Sequence, residues 1–182
     1  MAEIVNLAER KRSLAARKGF KSWEARFSRT FDGSTRMEDL DHQALGKLIG
    51  GGEESNDLLY DLIMGIKGLG AGLRFHFLEG AEKVRILDIA VFLLDQLRFE
   101  AMRRLGWIDN YPGYHIPLVD LVQGFGVRFA DGSIETPSLS PGHLRYGEYR
   151  RTFPADRGVF VRRLIPEAIE AFRDEGGEPG TT

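Results

Sequence analysis

The chain contains no cysteine. That single absence removes disulfides, thiolate zinc sites, iron–sulfur clusters and cysteine nucleophiles together. A long apolar run is also missing: the longest, Ile89 to Leu94, is six residues, against the roughly 20 that a membrane span requires. The stretch Met1 to Gly19 carries Arg10, Lys11, Arg12, Arg17 and Lys18 and lacks the apolar run of a secretory signal. These absences predict a cytoplasmic protein with no membrane association.

Catalytic signatures are scarce as well. No Gly-x-Ser-x-Gly elbow occurs. His42, His76, His115 and His143 stand far apart, with no pair at metal-ligand spacing. Asp39-x-x-His42 comes nearest to the Glu-x-x-His pattern of di-metal helical bundles, and chance explains so short a match. The sequence therefore predicts no catalytic residue, no metal and no cofactor.

Net charge is only −2, so no whole-protein field recruits nucleic acid. The charge is uneven along the chain. Residues 1–36 hold nine basic against four acidic side chains, and residues 37–60 hold one against six. The two blocks are positioned to neutralise each other in the fold.

What is present is apolar bulk. Of 182 residues, 42% are hydrophobic and twelve are Phe, enough to build a core at roughly 25 cal/mol per Å² buried. The periodicity predicts a mainly α, single-domain helical bundle over residues 1–176, around a long central helix at about 81–105. Residues 1–108 form its helical core. Residues 109–176 read as a less regular arm with a small hairpin and a last helix, and residues 177–182 as a disordered tail.

Ile4, Leu7, Lys11 and Leu14 share one face of a first helix ending at Gly19. Ser22 is placed to cap a second, in which Trp23, Phe27 and Phe31 recur every four residues before Asp32 and Gly33 stop it. Thr35 and Glu38 match a capping box ahead of Met37, Leu40, Ala44, Leu45 and Leu48. Ser55, Asn56 and Asp57 offer oxygens to start the next helix, with Leu58, Leu59, Leu62, Ile63 and Ile66 on one face and Asp57, Tyr60, Asp61 and Met64 on the other. In the long helix the apolar residues cover most of the circumference, which predicts neighbours all round. Val127 to Thr136 reads as the hairpin, turning at Asp131 and Gly132. Residues 137–158, rich in Pro and Gly, read as an irregular connection, and Pro166 opens the final helix.

Three groups of residues are chemically suggestive. Gly68, Leu69, Gly70, Ala71 and Gly72 resemble a phosphate-cradling loop in composition, but a phosphate loop follows a strand and this one follows a helix, so helix termination is the expected role. The carboxylates come in pairs: Asp57 and Asp61 at i,i+4, and Asp88 and Asp95 within about 20° of each other on the long helix. With Tyr60 they form a candidate polar face, suited to docking or, if all four converge, to acid–base or metal chemistry. The third group is His143 to Arg163, where Arg145, Arg150, Arg151, Arg162 and Arg163 interleave with Tyr146 and Tyr149; planar guanidinium forks and stacking aromatics suit a phosphate-bearing ligand or an acidic partner. The leading expectation is a non-catalytic protein-interaction or regulatory module that binds a partner or itself. Nucleic-acid or phosphate-ligand binding through 143–163 is the alternative, and a carboxylate-based enzyme the second alternative.

Overall fold

The computed structural model describes residues 6–128 and 136–176. Among these the chain is mainly helical, with no strand and only two isolated antiparallel bridges, Arg36 with Pro117 and Ile108 with Leu139. The hairpin expected at 127–136 turns on residues outside the described ones. Its described ends are not strand: Val127 and Arg128 are in a turn and Thr136 is irregular. The expected tail at 177–182 also lies outside them.

α1 (Leu7–Gly19) starts with the Asn6 side chain accepting from the Ala8 amide, which satisfies one of the N–H groups a helix start leaves free. α2 (Lys21–Phe27) follows almost without a break, and here the expected cap is wrong. Phe20 occupies the cap position, Ser22 lies inside the helix, and the helix ends four residues before Phe31 because Ser28 turns left-handed at φ 51°. Phe31 nonetheless returns to stack on Phe20, with ring centroids 5.3 Å apart.

The expected third helix divides. Met37–Asp39 is a 3₁₀ turn whose Arg36 amide donates to Asp39, while Thr35 instead accepts from the Asp32 amide. α3 (His42–Leu48) then starts from its own Asp41 cap. α4 (Glu53–Lys67) begins ahead of Ser55, whose hydroxyl turns back to the Leu48 carbonyl. Met64, expected on the polar face, is fully buried. On the apolar face α1 and α4 touch backbone to backbone: a Cβ on Gly65 would sit 2.5 Å from the Lys18 carbonyl oxygen and 2.7 Å from the Gly19 Cα.

Gly68, at φ 72°, ends α4, and a 3₁₀ segment (Gly72–Phe77) leads to α5 (Gly80–Arg104), the long helix expected. After α6 (Leu118–Gly124), the arm is more regular than its Pro and Gly content implied: α7 (Tyr146–Arg151), α8 (Arg157–Arg163) and α9 (Ile165–Gly176) cover most of 146–176. Tyr149, Val161, Leu164, Ala168 and Phe172 are buried, and packing against the bundle holds these short helices where local propensity would not.

Two apolar clusters result. The larger gathers Phe20, Trp23, Leu45, Leu62, Leu93 and Val119 with their neighbours; the smaller gathers Phe99, Met102, Tyr111, Tyr149, Val161 and Leu164. Leu105 and Ile169 pack against both. No helix among the described residues is long and apolar enough to cross a membrane.

Candidate functional site

α5 does not have neighbours all round. Val84, Leu87 and Val91 stay open, at 57%, 43% and 56% exposure. Beside them α4 contributes Asn56 and Tyr60, which with Leu87, Ala90, Val91 and Leu94 line a shallow groove of about 180 Å³ between the two helices. Tyr60 is fixed by stacking on Phe75 at 4.0 Å. Burial first, and the Asp57 carboxylate second, push its phenol above the ordinary range, so it remains a neutral hydroxyl.

The four candidate carboxylates do not converge. Asp57 and Asp88 are exposed and in no ion pair among the described residues. Asp95 is bonded to Arg162 at 3.3 Å. Asp61 faces the other way, accepting from the Gly72 amide at 2.6 Å, and lines a different cavity. No group of three or more carboxylates and histidines able to hold a metal occurs among the described residues. Acid–base or di-metal chemistry by these four has no shared cavity to occur in. Asp57 and Asp88 are instead charges beside an apolar groove.

The arm's guanidinium groups are mostly engaged locally. Arg145 pairs with Glu148 at 2.9 Å and lies over Phe160. Arg151 donates to the Gly147 carbonyl, and Arg162 binds Asp95 and Thr136 while covering Phe99. Tyr149 is buried, and Tyr146 packs on it with centroids 6.0 Å apart. Arg150 and Arg163 are exposed with no ion pair among the described residues. The acids of 37–60 take none of these arginines. They pair with Arg26, Arg29, Arg36, Lys47 and His115 instead.

Sequence reasoning passed over the one carboxylate that is buried among the described residues. Glu100 is wholly inaccessible and accepts from Arg103 at 2.8 and 2.9 Å and from Arg104 at 2.7 Å. Arg104 also donates to the Met37 and Glu38 carbonyls, and Arg103 lies 4.3 Å from the Tyr114 ring centroid. The available signal was the i,i+3,i+4 spacing of one Glu and two Arg, which places all three on one helix face. With Tyr111 donating to the Gln96 carbonyl at 2.8 Å, the cluster clasps the 37–39 turn and the 111–115 segment to α5.

Comparison of the chain with protein families, with curated proteins and with solved structures finds no match.

Proposed function

We propose that the protein is a non-catalytic, cytoplasmic interaction module whose α4–α5 groove receives a basic amphipathic helix, and that the occupant is α1 of a second copy. The observation that carries this is the open strip Val84, Leu87 and Val91 on the most central helix, beside the unpaired carboxylates Asp57 and Asp88. The Lys83 ammonium also lies close by, over the Phe75 ring that stacks on Tyr60, so two carboxylates stand against one cation beside the strip, and the excess favours a partner of basic charge.

α1 has that chemistry. Leu7 and Leu14, seven residues apart, are 65% and 51% exposed. Arg10, Lys11 and Arg17 lie on the same outer sector and make no ion pair among the described residues. This surface reads as i, i+7 anchors with basic flanks, the form in which a helix enters a groove. Two different surfaces of the same chain would meet, so the contact is heterologous and assembles head to tail.

Light scattering during size-exclusion chromatography tests this. The wild type is expected to show concentration-dependent association that weakens with salt. Leu14→Glu and Val91→Glu are each expected to be monomeric, and their equimolar mixture to form a one-to-one complex, because each retains the half the other lacks. A strictly monomeric wild type, or a mixture that stays monomeric while the wild type assembles, overturns the proposal.

A further inference from the structure

α4 and α5 run antiparallel, so their contact has two ends. The docking groove occupies one, where residues 56–60 meet 87–94, and a separate cavity occupies the other, where the end of α4 meets the start of α5. That cavity measures about 350 Å³ and is lined by Lys67, Leu69, Ala81, Glu82, Arg85 and Ile86. Its size is at the small end of the range of ligand sites.

Lys67 is the chemically distinctive part of this wall. A lysine in the last turn of a helix ordinarily projects its ammonium into water, where it complements the helix dipole. Lys67 is instead half-buried in a cavity walled by Leu69 and Ile86. No carboxylate takes up its charge: Lys67, Arg85 and Glu82 all lack an ion pair among the described residues. Burial first, and the Arg85 guanidinium second, hold its ammonium below the ordinary lysine range. A desolvated lysine beside another cation is the arrangement in which an amine becomes a nucleophile toward carbonyl carbon. Both conditions meet at this one side chain.

The rest of the wall selects the carbonyl compound. Arg85, exposed at the rim, offers a planar fork for a carboxylate. Glu82 limits the excess to one positive charge, which a monocarboxylate balances. Arg74, Glu79, Lys83 and Asp88, the neighbouring charges in sequence, do not line the cavity. We propose that Lys67 is a nucleophilic amine that captures a small 2-oxo acid here as an imine, with the carboxylate held by Arg85 and the short apolar end against Leu69 and Ile86. The amine lone pair attacks the carbonyl carbon and one nitrogen proton passes to the oxygen, giving a carbinolamine. The hydroxyl then leaves with the second nitrogen proton as water while the C=N bond forms. The step needs no oxidant or reductant and is reversible.

Incubating the whole chain with pyruvate, reducing with borohydride and mapping the adduct by mass spectrometry tests this. One adduct per chain is expected, concentrated on Lys67 several-fold over any other lysine, with a rate that saturates as pyruvate rises. Lys67→Arg, which keeps the charge, should lose that adduct without lowering the melting temperature. Arg85→Gln should slow labelling by pyruvate more than labelling by propanal, which has no carboxylate to hold. Val91→Glu, in the separate groove, should label as the wild type does, so this site and the docking groove stand or fall independently. Labelling spread evenly over the lysines, a rate that rises linearly without saturation, undiminished labelling of Lys67→Arg, or an equal loss for pyruvate and propanal in Arg85→Gln would each overturn the proposal.

Discussion

The two clusters of the core are held together in different ways. The larger, around Phe20, Trp23, Leu45, Leu62 and Leu93, is carried by apolar area and ring packing: Phe20 meets Trp23 edge-on at 5.4 Å, and the buried indole N–H is satisfied by the Leu58 carbonyl at 2.8 Å. The smaller contains Tyr111, Tyr114 and Tyr149 and abuts the Glu100 clasp, so its packing depends on buried polar groups being matched. Area is forgiving of chemistry, because a well-shaped apolar replacement restores most of the transfer energy. A buried carboxylate is not, because each partner left unmatched keeps its desolvation cost.

The largest expected effect tests that difference with two near-isosteric substitutions. Glu100→Gln should cost about 3 kcal/mol, since one amide replaces a carboxylate that accepts from two guanidinium groups. Leu62→Met, equally buried, should cost less than about 1.5 kcal/mol. Urea denaturation midpoints read both. Equal losses would mean that the clasp is no more demanding than the aliphatic core.

Glycines sharpen the same contrast at smaller magnitude. Gly65→Ala forces a Cβ onto backbone at the α1–α4 contact and should cost about 1–3 kcal/mol. Gly147→Ala, at the second residue of α7, meets nothing within 4 Å and should stabilise by up to about 0.5 kcal/mol, because alanine has less backbone freedom to lose than glycine. Opposite signs in thermal melting would show that the bundle is limited by close approach and the arm by local helix propensity. A loss at Gly147 would remove propensity as the arm's limiting factor.

Much of the bundle was legible in the sequence because its signals are local. The apolar face of α4 and the long α5 follow from a 3.6-residue period that needs no knowledge of partners. Local pattern failed where tertiary contacts decide. Met64 sits at a polar-face position but is fully buried, Ser22 looks like a cap but lies inside α2, and 137–158 looks irregular but contains α7, whose Tyr149 is packed into the core. The candidate sites divide the same way. Asp57, Tyr60 and Asp88 were nameable from spacing, yet their place beside an open apolar strip depended on which side of α5 went uncovered. The cavity beside Lys67 joins the end of α4 to the start of α5 across a loop, and periodicity carries no trace of it.

The smallest expected effect comes from the arm alone and distinguishes it from the bundle by pH. His143 sits edge-on to Trp107 at 4.8 Å, and its Nδ1 accepts from the Arg145 amide at 3.1 Å. Burial, aided by the Arg145 charge and opposed by Glu167, holds its pKa below the ordinary 6.5. The native state therefore binds fewer protons at this site than the unfolded chain does. Its contribution is fully present above about pH 6.5 and declines as the pH falls toward the lowered native value. The acidic pairs of the N-terminal half behave separately. At Glu38, burial raises the pKa, but hydrogen bonds from Arg36 and His115 outweigh it, so its contribution is lost only as the pH falls below about 4.5. His143→Gln keeps an acceptor for the Arg145 amide and removes the titration. Measured by urea midpoint, the variant should follow the wild type at a constant offset above pH 7 and gain on it between pH 6.5 and 5, before Glu38 begins to titrate. A constant offset through that window would mean that His143 titrates as it does in water and that the arm's contact with Trp107 does not exclude solvent.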